Sequence, residues 1–155
     1  MTRIAVDAMG GDAAPRNVVH GAVMAASEDG LSLTLVGAQA ILEDELSRFP
    51  EVDSLSIRLI DAPDVVAMSE SALAARRRTR ASVRVAADAV ATGEAAALFT
   101  AGHSGAAVFA AREAFGLLPG IDRPAIAATI PTREGVAILV DAVAAILTRN
   151  VGIPL

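Results

Sequence analysis

Asp7-Ala8-Met9-Gly10-Gly11-Asp12 ends an apolar run rich in branched residues, residues 2–7, and precedes a segment with helical periodicity. This succession of strand, glycine turn and helix indicates the first βα unit of an α/β fold. Gly10 and Gly11 allow the backbone to approach a ligand closely. The amino end of the helix that follows carries partial positive charge, so the stretch is predicted to receive an anion such as phosphate.

A second stretch of the same kind, residues 100–105, reads Thr-Ala-Gly-His-Ser-Gly. It also ends a predicted strand and begins a predicted helix, with Gly102 and Gly105 on either side of His103 and Ser104. Ser104 would either donate to a phosphate oxygen or cap the helix, and His103 would either donate to an oxyanion or lie in a turn. Both stretches follow strands, and ligands of parallel sheets collect at the carboxyl ends of the strands.

The remaining sequence alternates strands and helices, which predicts a doubly wound, Rossmann-like, mostly parallel sheet with helices on both faces. No repeat or linker divides it, so a single α/β domain over residues 1–155 is expected. An apolar strand at the very end of the sequence indicates a truncated chain. Further strands are predicted at residues 31–36, 55–60, 95–100, 125–130, 136–140 and 151–155, and helices at residues 15–28, 38–48, 71–92, 103–115 and 142–148.

The composition excludes several classes of function. The chain has no cysteine, so disulfides, thiolate zinc sites and a cysteine nucleophile are excluded. It also lacks lysine, Trp and Tyr and carries a net charge of −5, which excludes a lysine base and argues against a nucleic-acid partner. No apolar run reaches the roughly 18 residues of a membrane span, and Asp7 and Asp12 interrupt a signal peptide, so a cytoplasmic location is predicted.

Two other features leave alternatives open. The run Arg76-Arg77-Arg78-Thr79-Arg80 is either a solvated helix face or a binding surface for phosphate or an acidic protein. Gly10-Gly11 is either an anion loop or a tight βα turn, in which Asp12 caps the following helix.

Three motifs, in order and spacing, resemble the bacterial phosphate acyltransferase family PlsX. They are residues 7–15, residues 100–106, and residues 118–125 together with residues 129–132. The resemblance implies an enzyme that transfers a fatty acyl group from acyl carrier protein to inorganic phosphate, giving acyl phosphate for phospholipid synthesis. It also implies a fold like that of the isocitrate and isopropylmalate dehydrogenases, a homodimer, and contact with the membrane surface. No cofactor and no metal-binding residue is predicted.

In such an enzyme phosphate itself attacks the thioester, so the protein positions the anion and stabilises the oxyanion. His103 and Ser104 are the predicted catalytic residues. The predicted phosphate- or substrate-binding residues are Asp7, Gly10, Gly11, Asp12, Arg77, Arg78, Gly102 and Gly105.

Departures from the family pattern favour a second hypothesis, a non-catalytic truncated or rebuilt scaffold of the same fold that self-associates. Ala13 stands where the family usually has His, and residues 77–82 and 142–145 depart from its basic and Gly-Ala-Asn motifs. Family members are also about twice as long. A third hypothesis, a dinucleotide-binding domain, lacks the Gly-x-Gly-x-x-Gly that should follow the first strand.

Overall fold

The computed structural model describes residues 2–140. The chain divides into two compact units, the first ending at Gly116 and the second beginning at Leu117. The predicted helix at residues 142–148 and the predicted strand at residues 151–155 lie outside the described residues. The single domain over residues 1–155 therefore stays a prediction.

The first unit contains a parallel four-stranded sheet, which confirms the predicted α/β class. Its strands lie in the order β3-β2-β1-β4, so β1 is paired on both sides and the strand order reverses between β1 and β4. The strands are β1 (Arg3–Asp7), β2 (Ser32–Gly37), β3 (Ile57–Asp61) and β4 (Ala97–Thr100).

Five helices accompany this sheet, with a 3-10 turn at Val52–Ser54. Among residues 2–140, no helix is long and apolar enough to cross a membrane. The helices are α1 (Arg16–Glu28), α2 (Gln39–Leu46), α3 (Ala74–Arg77), α4 (Ser82–Ala91) and α5 (Ser104–Phe115).

Both faces of the sheet are apolar, because strands buried between helices place alternate side chains on opposite faces. Val6 and Leu35 join Val19 of α1 in one cluster that also includes α2. Ala5 and its neighbours on the other face join a second cluster with α4. Helices therefore flank the sheet on both faces, consistent with a Rossmann-like arrangement.

The helix predicted over residues 71–92 is wrong in its middle. The structure has the short α3, an irregular stretch, and then α4. The residues on either side of Ala81 pair with a distant loop: Asp64 N–H donates to the Arg80 carbonyl at 3.3 Å, and Ser82 N–H donates to the Asp64 carbonyl at 2.9 Å. These bonds hold Ala81 in an extended conformation, which interrupts the helix.

The second unit contains an antiparallel hairpin of β5 (Ala127–Thr132) and β6 (Gly135–Val140). Both strands are predicted by the sequence, but the predicted end of β5 at Pro131 is wrong. Pro131 lies opposite Val136 inside the ladder. A two-stranded ladder leaves one side of each strand unpaired, so the missing N–H of a proline is tolerated there.

Candidate functional site

The two glycine stretches meet at the carboxyl ends of β1 and β4. Asp7 and Thr100 are the last residues of these strands and lie opposite each other in the parallel register. The strand order reverses at this position, and in open α/β sheets the crevice outside such a reversal is where ligands bind. The segment that leaves β1, residues 8–15, is loop 1, and the segment that leaves β4, residues 101–103, is loop 2.

A chain of hydrogen bonds joins the two loops. The Thr100 hydroxyl donates to Asp7 Oδ2 at 2.7 Å and accepts from the Gly102 N–H at 3.0 Å. The Met9 N–H donates to Asp7 Oδ1 at 3.3 Å. Both carboxylate oxygens of the buried Asp7 are therefore engaged in holding the loops. Its predicted direct contact with phosphate stays a prediction.

Gly10 and Gly102 allow the two backbones to touch. A Cβ added at Gly10 would lie 2.5 Å from Asp7 Oδ2 and 3.0 Å from Gly102 Cα, and one added at Gly102 would lie 3.0 Å from Gly10 Cα. Real Cβ atoms essentially never come as close as 2.5 Å to another heavy atom. Glycine at position 10 is thus required first by the Asp7 carboxylate and then by the close approach of loop 2.

Gly11 has a φ of +109°, a conformation that residues with L side chains rarely adopt. A Cβ added there would lie 3.1 Å from the Ala101 carbonyl oxygen. Asp12 follows it in a turn. The predicted helix cap at Asp12 is wrong, because α1 begins only at Arg16 and Pro15 occupies the cap position without a side-chain cap. Asp12 remains an exposed residue of loop 1.

His103 caps α5 with its side chain. Its Nδ1 accepts from the Ala106 N–H at 3.3 Å, and its Nε2 lies 3.0 Å from the Glu70 carbonyl oxygen, to which it therefore donates. Both ring nitrogens are therefore engaged by protein partners. Ser104, the first residue of α5, is exposed, and Gly105 beside it is buried.

Arg78 is engaged by an acidic neighbour. Its guanidinium binds the Glu70 carboxylate through two bonds, at 2.7 Å and 2.8 Å, and also donates to the Val65 carbonyl. The Ala67 N–H donates to Glu70 at 2.9 Å. This bond and, after it, the Arg78 charge lower the pKa of Glu70 against the opposing effect of desolvation. Glu70 is also the residue whose carbonyl receives His103, so this network reaches the start of α5.

The other predicted basic residue, Arg77, ends α3 with an exposed side chain. Nearby, Arg80 forms an ion pair with Asp61 at 2.8 Å. Within the described chain, neither Arg77 nor Arg80 forms a hydrogen bond with loop 1 or loop 2. The structure thus brings together Asp7, Gly10, Gly11, Gly102 and the start of α5, and links Arg78 to them only through Glu70.

Comparisons with known proteins show the family to which the chain belongs. A family model described as "Fatty acid synthesis protein" matches residues 2–150. The chain belongs to this family. The phosphate acyltransferase of Pelotomaculum thermopropionicum is 45% identical over 141 residues, which are 90% of this chain and 41% of that protein.

Two further phosphate acyltransferases show the same family relationship, which confirms the resemblance to PlsX. The enzyme of Geobacter sulfurreducens is 47% identical over 140 residues, 90% of this chain and 40% of that protein. The enzyme of Synechocystis is 45% identical over 130 residues, which are 84% of this chain and 37% of that protein. The chain spans about two fifths of the length of these relatives.

The sequence does not predict two residues of this site, Thr100 and Glu70. Thr100 belongs to the second glycine stretch, but its residue type does not mark it as the link between the loops. The available signal is its position as the last residue of β4, opposite Asp7, once β4 is placed beside β1. Glu70 gives no such signal, because its partners are backbone groups and Arg78 across an irregular loop.

Proposed function

We propose that this chain binds inorganic phosphate between loop 1 and loop 2 and transfers a fatty acyl group to it from acyl carrier protein, giving acyl phosphate. The observation that carries the proposal is the contact between the loops through Asp7, Thr100 and Gly102 at the reversal of strand order. The names of its relatives, which state both phosphate and acyl transfer, support this choice of ligand.

Backbone N–H groups supply the donors in this proposal. Those of Ser104 and Gly105 lie in the first turn of α5, where a helix offers no internal acceptor. The partial positive charge of the helix end acts in the same direction. Gly11 and Asp12 bring further N–H groups on a loop that approaches loop 2 without intervening side chains. The Ser104 hydroxyl adds a side-chain donor at the same end of α5.

The proposed reaction needs no protein nucleophile. A phosphate oxygen attacks the thioester carbonyl carbon, a carbon–oxygen bond forms, and the carbonyl oxygen becomes an oxyanion stabilised by the N–H donors. The intermediate then collapses, the carbon–sulfur bond breaks, and the carrier thiolate leaves with the bonding electron pair and takes up a proton. Positioning of the two substrates adds to the acceleration.

His103 and the arginines enter this scheme by changing partners. His103 Nε2 would donate to the oxyanion in place of the Glu70 carbonyl, and Arg78 would turn one side of its guanidinium from Glu70 to phosphate. Arg77 is exposed and would add positive charge nearby. The wider proposal includes a homo-oligomer, a cytoplasmic location with contact at the membrane surface, and kinship with the isocitrate dehydrogenase fold.

The alternative is a non-catalytic scaffold of the same fold. The observation that favours it is the internal engagement of His103 and Arg78, which already bind protein partners through both ring nitrogens and both terminal guanidinium nitrogens. A scaffold would keep these partners permanently. Its loops would remain joined with no acyl transfer.

Two measurements test the proposal. Inorganic phosphate should raise the thermal midpoint of the chain, and Ser104→Ala should reduce that rise. If the thermal midpoint is unchanged in phosphate at concentrations up to tens of millimolar, the proposed binding site is wrong. Acyl phosphate formation from an acyl carrier protein thioester then separates the enzyme from the scaffold: turnover above the uncatalysed rate excludes the scaffold, and phosphate binding without turnover supports it.

A further inference from the structure

The first unit carries an apolar groove along one side of α1. It has a volume of about 690 Å³ and lies between α1 and the strands β1 and β4. Its walls include Ile4, Val6, Phe99 and Val18. A volume of this size is within the range of small-molecule sites, which are mostly apolar.

One end of this groove opens at the glycine loops. Gly10, Gly11 and Ala101 line that end, while Ala25 and Leu31 line the other. The three residue steps from Ile4 to Asp7 correspond to about 10 Å along the strand. The groove therefore extends along the sheet from the glycine loops, with Asp12 and Asn17 as its polar lining residues.

The groove leaves apolar surface in water. Phe99 is 56% exposed although it belongs to a sheet strand. On this face, α1 packs against β2 and α2. Covering exposed apolar area with a hydrocarbon is favourable, and a contiguous apolar surface beside a polar site is typical of a ligand groove.

We propose that this groove binds the hydrocarbon chain of the acyl group. The inference rests on the proposed function, because it takes the reacting end of the substrate to lie at loops 1 and 2. Gly10, Gly11 and Ala101 belong both to the groove and to loops 1 and 2. Because the groove begins at the proposed phosphate site, we choose an acyl chain as its occupant. The thioester or acyl phosphate end then lies beside Gly10 and Gly11, and the methylenes extend between α1 and β4.

The experiment titrates the full chain with monoalkyl phosphates from butyl to dodecyl phosphate, below their micelle concentrations, with inorganic phosphate as the reference. These compounds keep the anion constant and lengthen only the hydrocarbon. Burial of each methylene should lower Kd by roughly fourfold. The decrease should level off once the chain is longer than the groove.

Gly21→Leu fills the groove without removing a contact. Gly21 lines the groove, and a Cβ added there meets no atom within 4 Å. Leucine is a better helix former than glycine, so the variant should be at least as stable as the wild type. Its affinity for dodecyl phosphate should fall at least tenfold, with inorganic phosphate unaffected. Ser27→Leu, an exposed position of α1 outside the groove, is the matched control and should bind like the wild type.

The outcomes separate this proposal from the function on which it rests. Phosphate binding that does not strengthen with chain length overturns the groove proposal and leaves the phosphate site intact. The same result follows if Gly21→Leu binds dodecyl phosphate as tightly as the wild type does. If neither inorganic phosphate nor any alkyl phosphate binds, both proposals are wrong.

Discussion

Gly10 and Gly102 are close enough that neither position can carry a side chain without moving the other loop. A Cβ at Gly10 has two obstacles: Asp7 Oδ2, held by Thr100, and the backbone of Gly102. Neither obstacle is the free end of a flexible side chain. At the scale of the residue, the site therefore depends on the absence of a side chain at positions 10 and 102.

We expect Gly10→Ala to lower the free energy of unfolding by about 1–3 kcal/mol, the usual cost of forcing a methyl group into a packed position. Urea unfolding measures the change. Gly21→Ala is the matched control, since its Cβ meets nothing within 4 Å and glycine is unfavourable inside a helix. Equal stability of the two variants would contradict the close approach of the loops.

Thr100→Val tests the hydroxyl that joins the loops. Valine has the shape of threonine but leaves the Gly102 N–H without its acceptor and Asp7 without one donor. We expect a loss of about 1–3 kcal/mol in unfolding free energy, together with weaker phosphate protection. Thr100→Ser keeps the hydroxyl and should lie much closer to the wild type. A valine variant as stable as the serine variant would show that the link has no effect on stability.

Residue types alone indicate only part of this site. The glycines are recognisable because loops that approach ligands need them, and Gly10, Gly11 and Gly102 are all predicted. Glu70, the partner that His103 and Arg78 share, is not predictable, because it lies on a loop whose path depends on tertiary contacts. For Asp12 the sequence predicts a role that the structure does not show. Its residue type is typical of a helix cap after a glycine turn, but α1 begins four residues later.

At the scale of elements, the irregular loop between β3 and α3 is held by contacts at several points. Glu70 binds Arg78 through its carboxylate and His103 through its carbonyl. Asp64 pairs with Ala81. These contacts interrupt the predicted long helix and hold the basic segment against the start of α5.

The Glu70 pair makes this loop sensitive to acid. The Ala67 N–H and then Arg78 lower the pKa of Glu70 below its ordinary value of 4.5. The carboxylate therefore contributes stability that is fully present above pH 4.5 and is lost as the pH falls through the lower pKa of the folded protein.

We expect Glu70→Gln to have a lower thermal midpoint than the wild type near neutral pH, and the difference to shrink below pH 4.5 as the wild-type carboxylate is protonated. Thermal unfolding across this pH range measures it. A difference that stays constant into strong acid would assign the effect to packing and not to charge.

Element boundaries show what periodicity can predict. The strands predicted at residues 31–36 and 95–100 differ from the observed strands by only one or two residues, because short apolar runs mark strands. β2 is buried, whereas the expectation that the strand at residues 95–100 is buried is wrong, because the residues of β4 are exposed or half-buried. The order of the strands cannot be predicted in this way, since alternation fixes the faces of a strand but not its neighbours. Nor does it distinguish the antiparallel hairpin of β5 and β6 from two parallel strands.

At the scale of the whole molecule, the two units differ in how much apolar surface they expose. Helices flank the sheet of the first unit on both faces, although Phe99 in the groove beside α1 is 56% exposed. In the second unit, Val136, Ile138 and Val140 share one face of β6 and are 66%, 69% and 59% exposed. Within residues 2–140 no further strand pairs with this ladder, and a contiguous apolar face on such a ladder is a favourable surface for association.

We expect the full chain to self-associate through this hairpin. Sedimentation velocity over a range of concentrations should show a rising mass, and Ile138→Lys should shift the equilibrium towards the monomer by placing a charge on the apolar face. Arg133→Lys, a charge-conserving change in the turn of the same hairpin, is the control. A monomer at every concentration would contradict the prediction.

The link from Asp7 through Thr100 to Gly102 has a consequence for the energetics of ligand capture. Its hydrogen bonds are made between protein groups alone, so the conformation of loops 1 and 2 is preorganised. A mobile loop loses conformational entropy when it closes, and that loss is subtracted from affinity. Here the entropy has already been given up during folding, and an incoming anion should bind with little further rearrangement of the backbone.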